Sequence, residues 1–531
     1  EQLDMYLHQI LLNEENKFEQ KRLDQLKTIK TFALKIIKFI SQFEDELVRV
    51  WNKPKFALNS NYVITLDKLS DEIIGKIAKH ENLKEQIKEW QDLGMVDETF
   101  DFEQRKKSDL LGSLDDKFKF LPIDTKYFKD LEIEILSLFE NIDEALDGRL
   151  IHSENYQALN TLSEKYKEKV QCIYIDPPFN TGSDFAYIDK FQDSTWLSLM
   201  NDRIELARKF LRDDGSFYLH LDQNADFRGR ELLDKIFENQ NFVNQIIWAY
   251  KEGSNSKKYF NKKHDTIYFF SKKPEQYLFN YQDILEAYSE GNIKKYKYKD
   301  EKGFYRIMGR GIQSSPFCSK RDLSPEIEKQ YPDLIYRHYL GEGKIPMDYW
   351  IIDVINQASE ERINFLTQKP EVLLERIIKV SSNENSLVLD FFTGSATTIA
   401  TAQKLSRKWI GVEMGDHFDT VDLPRMKTVI FGKISGISKE LEKENKLKKG
   451  GFFKYYSLEQ YEDTLRNMKY KDSSPNSIWD TRKAFEQYIF YADQKFAHVL
   501  EVGKEKLDID FDKLYPNIDF AETISNLLGL P

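Results

Sequence analysis

Two short loops carry the residues best suited to chemistry. In VQCIYIDPPFNTG, residues 170–182, an apolar run ends at Asp176, and Pro177, Pro178 and Phe179 follow. In SLVLDFFTGSATTIA, residues 386–400, a second apolar run ends at Asp390, and a turn with Phe392, Gly394 and Ser395 follows. Paired prolines fix φ and remove two N–H donors, which leaves the carbonyl of Pro177 as a rigid, unpaired acceptor. Asp176 then offers a carboxylate, Pro177 a carbonyl and Phe179 a flat apolar face. That set suits a planar ring carrying an exocyclic NH₂ group. Such an amine is a poor nucleophile, because its lone pair is delocalised into the ring. Two acceptors out of the ring plane localise the pair, and the nitrogen can then attack a methyl sulfonium in line. Positioning and electrostatics suffice, without a metal or a covalent intermediate. The plainer reading of the same residues is a strand cap followed by a Pro-Pro turn.

The second loop reads as strand, turn and helix. In an open α/β sheet this places backbone N–H groups, and a glycine that permits close approach, at the carboxyl edge of a strand. The next strand, KWIGVEM, ends in Glu413, nineteen residues past Gly394. An acid at about that spacing grips a ribose diol. The GxGxxG fingerprint is absent, and a pyrophosphate needs more glycine than one. A nucleoside cofactor without pyrophosphate fits better, S-adenosylmethionine above all. Alone, the loop is also compatible with a generic strand–turn–helix.

The elements around these loops alternate. KVQCIYI is a strand, WLSLMNDRIELARKFL an amphipathic helix, SFYLHLD a strand and ELLDKIFENQ a helix; NQIIWAY and DTIYFFSK are further strands. After a break, KPEVLLERIIKVS, SLVLD, SATTIATAQKL and KWIGVEM resume the rhythm. This alternation predicts a parallel α/β sheet. The stretch 251–345, rich in Lys, Tyr and Gly, predicts an insert. Residues 14–51 place Ile29, Phe32, Ala33, Ile36, Ile40, Phe43 and Leu47 at helical spacing. Residues 1–145 therefore read as a mostly helical arm used for packing or dimerisation, and 436–531 as a second helical region. The core falls into halves, 146–250 and 346–435.

Composition sets limits. The chain has 531 residues, formal net charge −11 and 31% charged residues, so any nucleic acid must meet a local basic surface rather than a basic protein. No apolar run reaches the roughly 18–20 residues of a membrane span, and EQLDMYLHQI is no signal peptide. Cys172 and Cys318, the two cysteines, form no zinc spacing, and Cys172 reads as a core residue in a reducing cytoplasm. No Walker A motif appears. The chain opens without methionine and ends on an apolar SNLLGLP, as a piece of something longer would.

The DPPF loop, followed downstream by an Asp-Phe-Phe-x-Gly turn, resembles the N6-adenine DNA methyltransferases in their permuted, β-class order, with the catalytic loop before the cofactor loop. The context resembles the Mod subunits of Type III restriction–modification systems. FLPIDTKYFKDLE, LDGRLIHSENYQALNTL, IYIDPPFNTGSDFAYIDKF, STWLSLMNDRIELAR, TQKPEVLLERII and DFFTGSATT carry the likeness over roughly 115–435. It implies a Rossmann-like S-adenosylmethionine-dependent methyltransferase sheet with an inserted target-recognition domain at 251–345 and helical terminal regions. It implies Asp176, Pro177, Pro178 and Phe179 as the catalytic loop. Asp390, Phe392, Gly394 and Ser395 would line the cofactor and Glu413 would take its ribose. Lys369 and Pro370 would open a helix over the methionine part, and Glu154 and Asn155 would end a strand near the adenine. Ser-Glu-Asn replaces the family's Gly-Asp-Asn there, and Ala396 replaces its second glycine. Asp before Pro-Pro favours adenine, since the N4-cytosine enzymes usually carry Ser.

Adenine in a duplex must be flipped out to be reached. NSKKYFNKKHD (255–265) and NIKKYKYKDEKGFYRIMGRG (292–311) interleave cations with aromatics, which suits phosphate contacts. They offer Lys257, Lys258, Lys262, Lys263, Lys295, Lys297, Arg306 and Arg310. The resemblance further implies a homodimer on duplex DNA and a Res helicase–nuclease subunit as partner. A fused nuclease is the rival from another class: PDLIYRHYLGEGK fits a PD…ExK pattern through Asp333, Glu342 and Lys344, although no strand hairpin is evident there. A non-catalytic DNA-binding subunit is a second rival, against which the intact DPPF stands.

Overall fold

The computed structural model describes the chain apart from residues 1–19, 106–113, 181–191, 252–256, 259, 319, 364, 467, 471–490, 494–499, 503–506, 510–514, 516 and 531. The chain forms two compact units, one of residues 1–61, 151–165 and 455–531, the other of 62–150 and 166–454. The strands are β1 Ala57–Thr65, β2 Pro122–Asp124, β3 Gly148–His152, β4 Val170–Ile175, β5 Leu211–Leu221, β6 Phe242–Ala249, β7 His264–Ser271, β8 Tyr298–Asp300, β9 Gly303–Gly309, β10 Ile335–Tyr339, β11 Tyr349–Ile351, β12 Leu387–Asp390, β13 Lys408–Glu413 and β14 Phe452–Leu458.

In the larger unit the main sheet runs β11-β6-β7-β5-β4-β12-β13, then takes in its own parts of β3, β14 and β1, and ends at β2. The pairs β5-β4, β4-β12 and β12-β13 are parallel. β7 runs against its neighbours β5 and β6, and β2 pairs antiparallel with β1. Parallel strands covered on both faces are continuous apolar runs. Accordingly all six residues of β4 are buried. The helix Asp193–Phe210 buries Trp196, Met200, Ile204, Ala207 and Phe210, and Glu371–Ser381 buries Leu373, Leu374, Ile377 and Ile378. This is the mostly parallel α/β sheet expected from the alternating elements. Packing dictates Gly148, where a Cβ would fall 2.2 Å from the Trp409 ring.

Three expectations change. The region 1–145 has its long helix, Gln20–Asn52, yet it also supplies β1 and β2. The polar start of β1, ALNSNYVIT, hides its alternation. The C-terminal region is likewise not simply helical: it holds β14 and the strand pairs 468–470 with 491–493 and 500–502 with 507–509. Finally, the range 251–345 contains β7, which lies inside the main sheet. Residues 272–348 follow it outside that sheet, and there β10-β9-β8 form a three-stranded sheet over Tyr305, Ile307, Leu323 and Ile335. The stretch that fits the nuclease pattern belongs to it. There β10 pairs antiparallel with β9, so a hairpin-like pairing does exist. Lys344 pairs with Glu286 at 3.7 Å, and among the described residues Asp333 and Glu342 join no cluster of ligating groups.

In the smaller unit, Trp51 stacks on Tyr156 at 5.5 Å and meets Tyr461 edge-on at 4.9 Å. Buried Glu459 gathers Lys53 at 3.2 Å, Thr464 at 2.8 Å and Tyr515 at 2.7 Å. No helix among the described residues is long and apolar enough to cross a membrane.

Candidate active site

β4 and β12 are neighbours, but the chain leaves them in opposite directions, from β4 towards β5 and from β12 towards β13. Such a switch point opens a crevice at the carboxyl ends of the strands. Asp176 directly follows β4, Asp390 ends β12 and Glu413 ends β13. The topology therefore brings the two loops to one edge.

The loop of Asp176, Pro177, Pro178 and Phe179 is held from behind. The Trp196 indole donates to the Pro178 carbonyl at 2.8 Å. Among the described residues no donor meets the Pro177 carbonyl. Phe179 packs on the His220 ring at 5.9 Å. His220 is fully buried in a chain of bonds, with Tyr174 Oη at 2.7 Å and Asp265 Oδ2 at 3.1 Å. Burial alone would raise the Asp265 carboxyl, but the His220 ring and Lys369 outweigh it and hold it below the usual range. Asp176 itself is asymmetric. Oδ2 accepts from the Lys369 ammonium, whereas Oδ1 is buried with no hydrogen-bond partner.

The loop that follows Asp390, in contrast, has its polar groups satisfied from within. Asp390 is buried, and its Oδ1 accepts the Phe392 N–H at 2.9 Å. Burial, reinforced by the charges of Asp176 and Glu413, pushes its carboxyl up to about 7, against the bonds from Thr398 and Phe392. Glu413 accepts backbone N–H groups from Gly394, Met414 and Gly415 at 2.8, 2.9 and 2.8 Å. Although burial would raise it, the His417 hydrogen bond and charge together with these amides hold it low. Gly394 has φ +55, and a Cβ there would come within 3.7 Å of the Phe365 ring. Ala396 adopts the same left-handed region, φ 58, at the N-cap of the helix Thr397–Lys404, so the helix does start where the second family glycine is missing. The Ser395 carbonyl is fixed by Arg425 at 2.6 Å. Arg425 also reaches buried Glu371 at 3.0 Å, and Lys404 pairs with the same carboxylate at 2.7 Å. Glu413, His417 and Asp422 bring ligating atoms within 4.8 Å of one another. Burial, with the Glu413 charge, pushes the Asp422 carboxyl well above its ordinary range.

The remaining expected residues divide. Pro370 caps the helix Glu371–Ser381, and Lys369 turns to the Asp176 carboxylate. Glu154 and Asn155 lie in the smaller unit, where Glu154 caps the following helix by accepting the Gln157 N–H at 2.9 Å. The pairing of Leu221 with Thr266 and of Ala249 with His264 puts the β6–β7 connection at the same sheet edge as Asp176. That connection carries exposed Lys257, Lys258 and Lys262 and half-buried Lys263, with Phe260 98% exposed. Lys295, Lys297, Arg306 and Arg310 sit in or beside the small sheet. There Arg306 lies over Tyr296 at 5.1 Å and Arg310 donates to the Ile335 carbonyl at 3.0 Å. Residues 181–191 of the quoted catalytic stretch, and 255, 256 and 259 of the basic one, fall outside the described residues. Trp196, His220, Asp265, Glu371 and Arg425 were not identified from sequence as site residues, because their partners are distant along the chain.

Residues 170–420 match the N6/N4 methylase family, described as a DNA methylase. The chain resembles these DNA methylases. It is 29% identical to the probable HindVI Mod subunit of Haemophilus influenzae, a Type III restriction–modification enzyme, over 60% of this chain and 55% of that one. It is 28% identical to the DNA adenine methyltransferase YhdJ of Escherichia coli, over 60% of this chain and 94% of that one. The StyLTI Mod subunit of Salmonella typhimurium is 27% identical over 48% of this chain and 49% of that one. The chain thus spans about half the length of these two Mod subunits. Among solved structures it resembles M1.HpyAVI in its SAM complex, at 18% identity and TM-score 0.33, over 52% of this chain and 98% of that one. The methylase region contains both loops.

Proposed function

We propose that the chain transfers a methyl group from S-adenosylmethionine to the N6 amine of an adenine flipped out of duplex DNA, as the modification subunit of a Type III-like system. The observation that carries this reading is the acceptor set at the switch point: the Asp176 carboxylate, whose buried Oδ1 has no partner, the Pro177 carbonyl, which no donor meets among the described residues, and the Phe179 face. An aryl amine has two hydrogens for two acceptors and a ring for the face. Bound S-adenosylmethionine would supply an electrophilic methyl group. The residues fit it: Glu413 is held ionised as an acceptor for ribose hydroxyls, and Gly394 leaves room beside Phe365. Asp390, Phe392 and Ser395 would complete its site. Trp196 keeps the catalytic loop in place while Asp176 and Pro177 draw the amine nitrogen towards tetrahedral geometry. No strong base is required, since the amine becomes acidic as it gains the methyl group.

Flipping costs a few kcal/mol, which phosphate contacts must offset. Lys257, Lys258, Lys262 and Lys263 supply them at the edge where the base enters. The likeness to Mod subunits supports a homodimer and a Res-type partner in this reading. The test is incubation with labelled S-adenosylmethionine and mixed-sequence duplex DNA, followed by mass spectrometry of the nucleosides. N6-methyladenine, lost in Asp176→Ala, supports the proposal. N4-methylcytosine overturns the base assignment, and failure to bind the cofactor overturns the whole reading.

A further inference from the structure

The site already holds a cation where the amine belongs; the inference drawn from it rests on the methyl-transfer reading above. Lys369 Nζ donates to Asp176 Oδ2 and lies 5.2 Å from the centre of the Phe179 ring. A carboxylate oxygen and an aromatic face are what the catalytic loop offers an exocyclic amine. The ammonium takes both, through a charge-assisted hydrogen bond and a cation–π contact. A base stacked on Phe179 would have its ring centre roughly 4.5–7 Å away, so base and ammonium claim the same shell of space. The pair is largely dehydrated, with the two side chains 11% and 19% exposed.

The surroundings make Lys369 the movable partner. Its backbone is fixed, because Pro370 starts a helix whose Glu371 is clamped by Lys404 and Arg425. Its four-carbon stem can swing about that fixed point, and besides Asp176 and the Phe179 face its ammonium meets only a long contact of 3.4 Å to the Thr367 carbonyl among the described residues. Asp176 cannot yield in the same way, since it directly follows a fully buried strand and precedes two prolines.

We propose that Lys369 is a built-in stand-in for the target amine, filling the acceptor and the aromatic face until the flipped base displaces it. The exchange discriminates between bases. An incoming NH₂ group replaces the bond that Asp176 gives up, whereas a keto group sets an acceptor against a carboxylate and leaves it unpaired. The arrangement therefore admits adenine or cytosine and rejects thymine and the keto edge of guanine.

The test uses the full chain and a duplex containing the site mapped from the methylation products. In Lys369→Met, which keeps the stem without the charge, the duplex Kd is expected to tighten by about three- to tenfold, because the open state no longer has to be won from an internal competitor. S-adenosylmethionine affinity is expected to stay within about twofold. Lys369→Arg keeps a competing cation and should show no such gain. Should the Met variant fail to fold, Lys369→Gln, which retains a neutral donor, should show a smaller gain. Unchanged or weaker duplex binding in the uncharged variants overturns the proposal. So does a tenfold loss of cofactor affinity, which would make Lys369 a cofactor contact. Wild-type methylation of the same duplex is scored separately, so a failure of the enzymatic reading is told apart from a failure of the stand-in.

Discussion

Two aspartates stand at the ends of neighbouring strands at the switch point, and they are treated in opposite ways. Asp390 is buried and bonded to its own turn, and its loop is braced by Arg425 and Glu371. Asp176 keeps one oxygen without a partner, and the other is engaged by a side chain from a different segment. A surface that binds one ligand in one way can satisfy its polar groups in advance. A surface that meets a reacting group must keep acceptors in reserve, although a buried, unsatisfied acceptor costs about 1–3 kcal/mol.

Breaking the closed side should cost stability, and breaking the open side should cost rate. Glu371→Gln leaves Lys404 and Arg425 short of a buried carboxylate, so it is expected to lower the unfolding free energy by about 3–5 kcal/mol, read by urea denaturation. A loss below 1 kcal/mol would mean that the brace is dispensable. Asp176→Asn is expected to cut the single-turnover rate by about 10²–10³-fold with little change in stability. If unfolding shifted as much as activity, the contrast between the loops would collapse.

Asp390 offers a pH test. Its carboxyl is raised to about 7 in the fold, mainly by burial, against about 3.9 in an unfolded chain. The folded chain then holds the proton more tightly, so the contribution is full below about pH 4 and is lost as pH climbs through 7. Asparagine does not titrate. The stability of Asp390→Asn relative to wild type should therefore rise between pH 5 and 8, and a flat difference would show that Asp390 titrates normally. Trp196→Phe keeps the buried ring but loses the bond to the Pro178 carbonyl. It should slow transfer by about tenfold, the equivalent of ~1.4 kcal/mol, while cofactor affinity is retained. The smallest effect belongs to Ala396, an alanine in left-handed backbone. Ala396→Gly should raise stability by up to about 1 kcal/mol, measured by thermal melting; a loss would place the cost in unfolded-chain entropy instead.

The sequence made the two loops and the alternation around them legible, because local signals specify both: β-branched runs ending at an acid, Pro-Pro, and a glycine in a turn. The β1 strand was obscured by its Asn-Ser-Asn stretch, whereas β7 was read as a strand but grouped into the insert with the basic stretch that precedes it. The resemblance placed Lys369 beside the cofactor, but its contact with Asp176, 193 residues away along the chain, was not legible. The His220–Asp265 pair was illegible for the same reason. Side-chain partners across a sheet depend on strand order, and no local pattern encodes it.

That strand order has a consequence during synthesis. β4 is made early, and its neighbour β12 emerges more than two hundred residues later. At roughly 5–20 residues per second, the ribosome needs on the order of ten to forty seconds to cover that gap. Throughout it, β4 presents one bare, apolar edge that only β12 will cover. The nascent chain must keep that edge from pairing elsewhere, and no partial product released within the interval can contain a finished crevice.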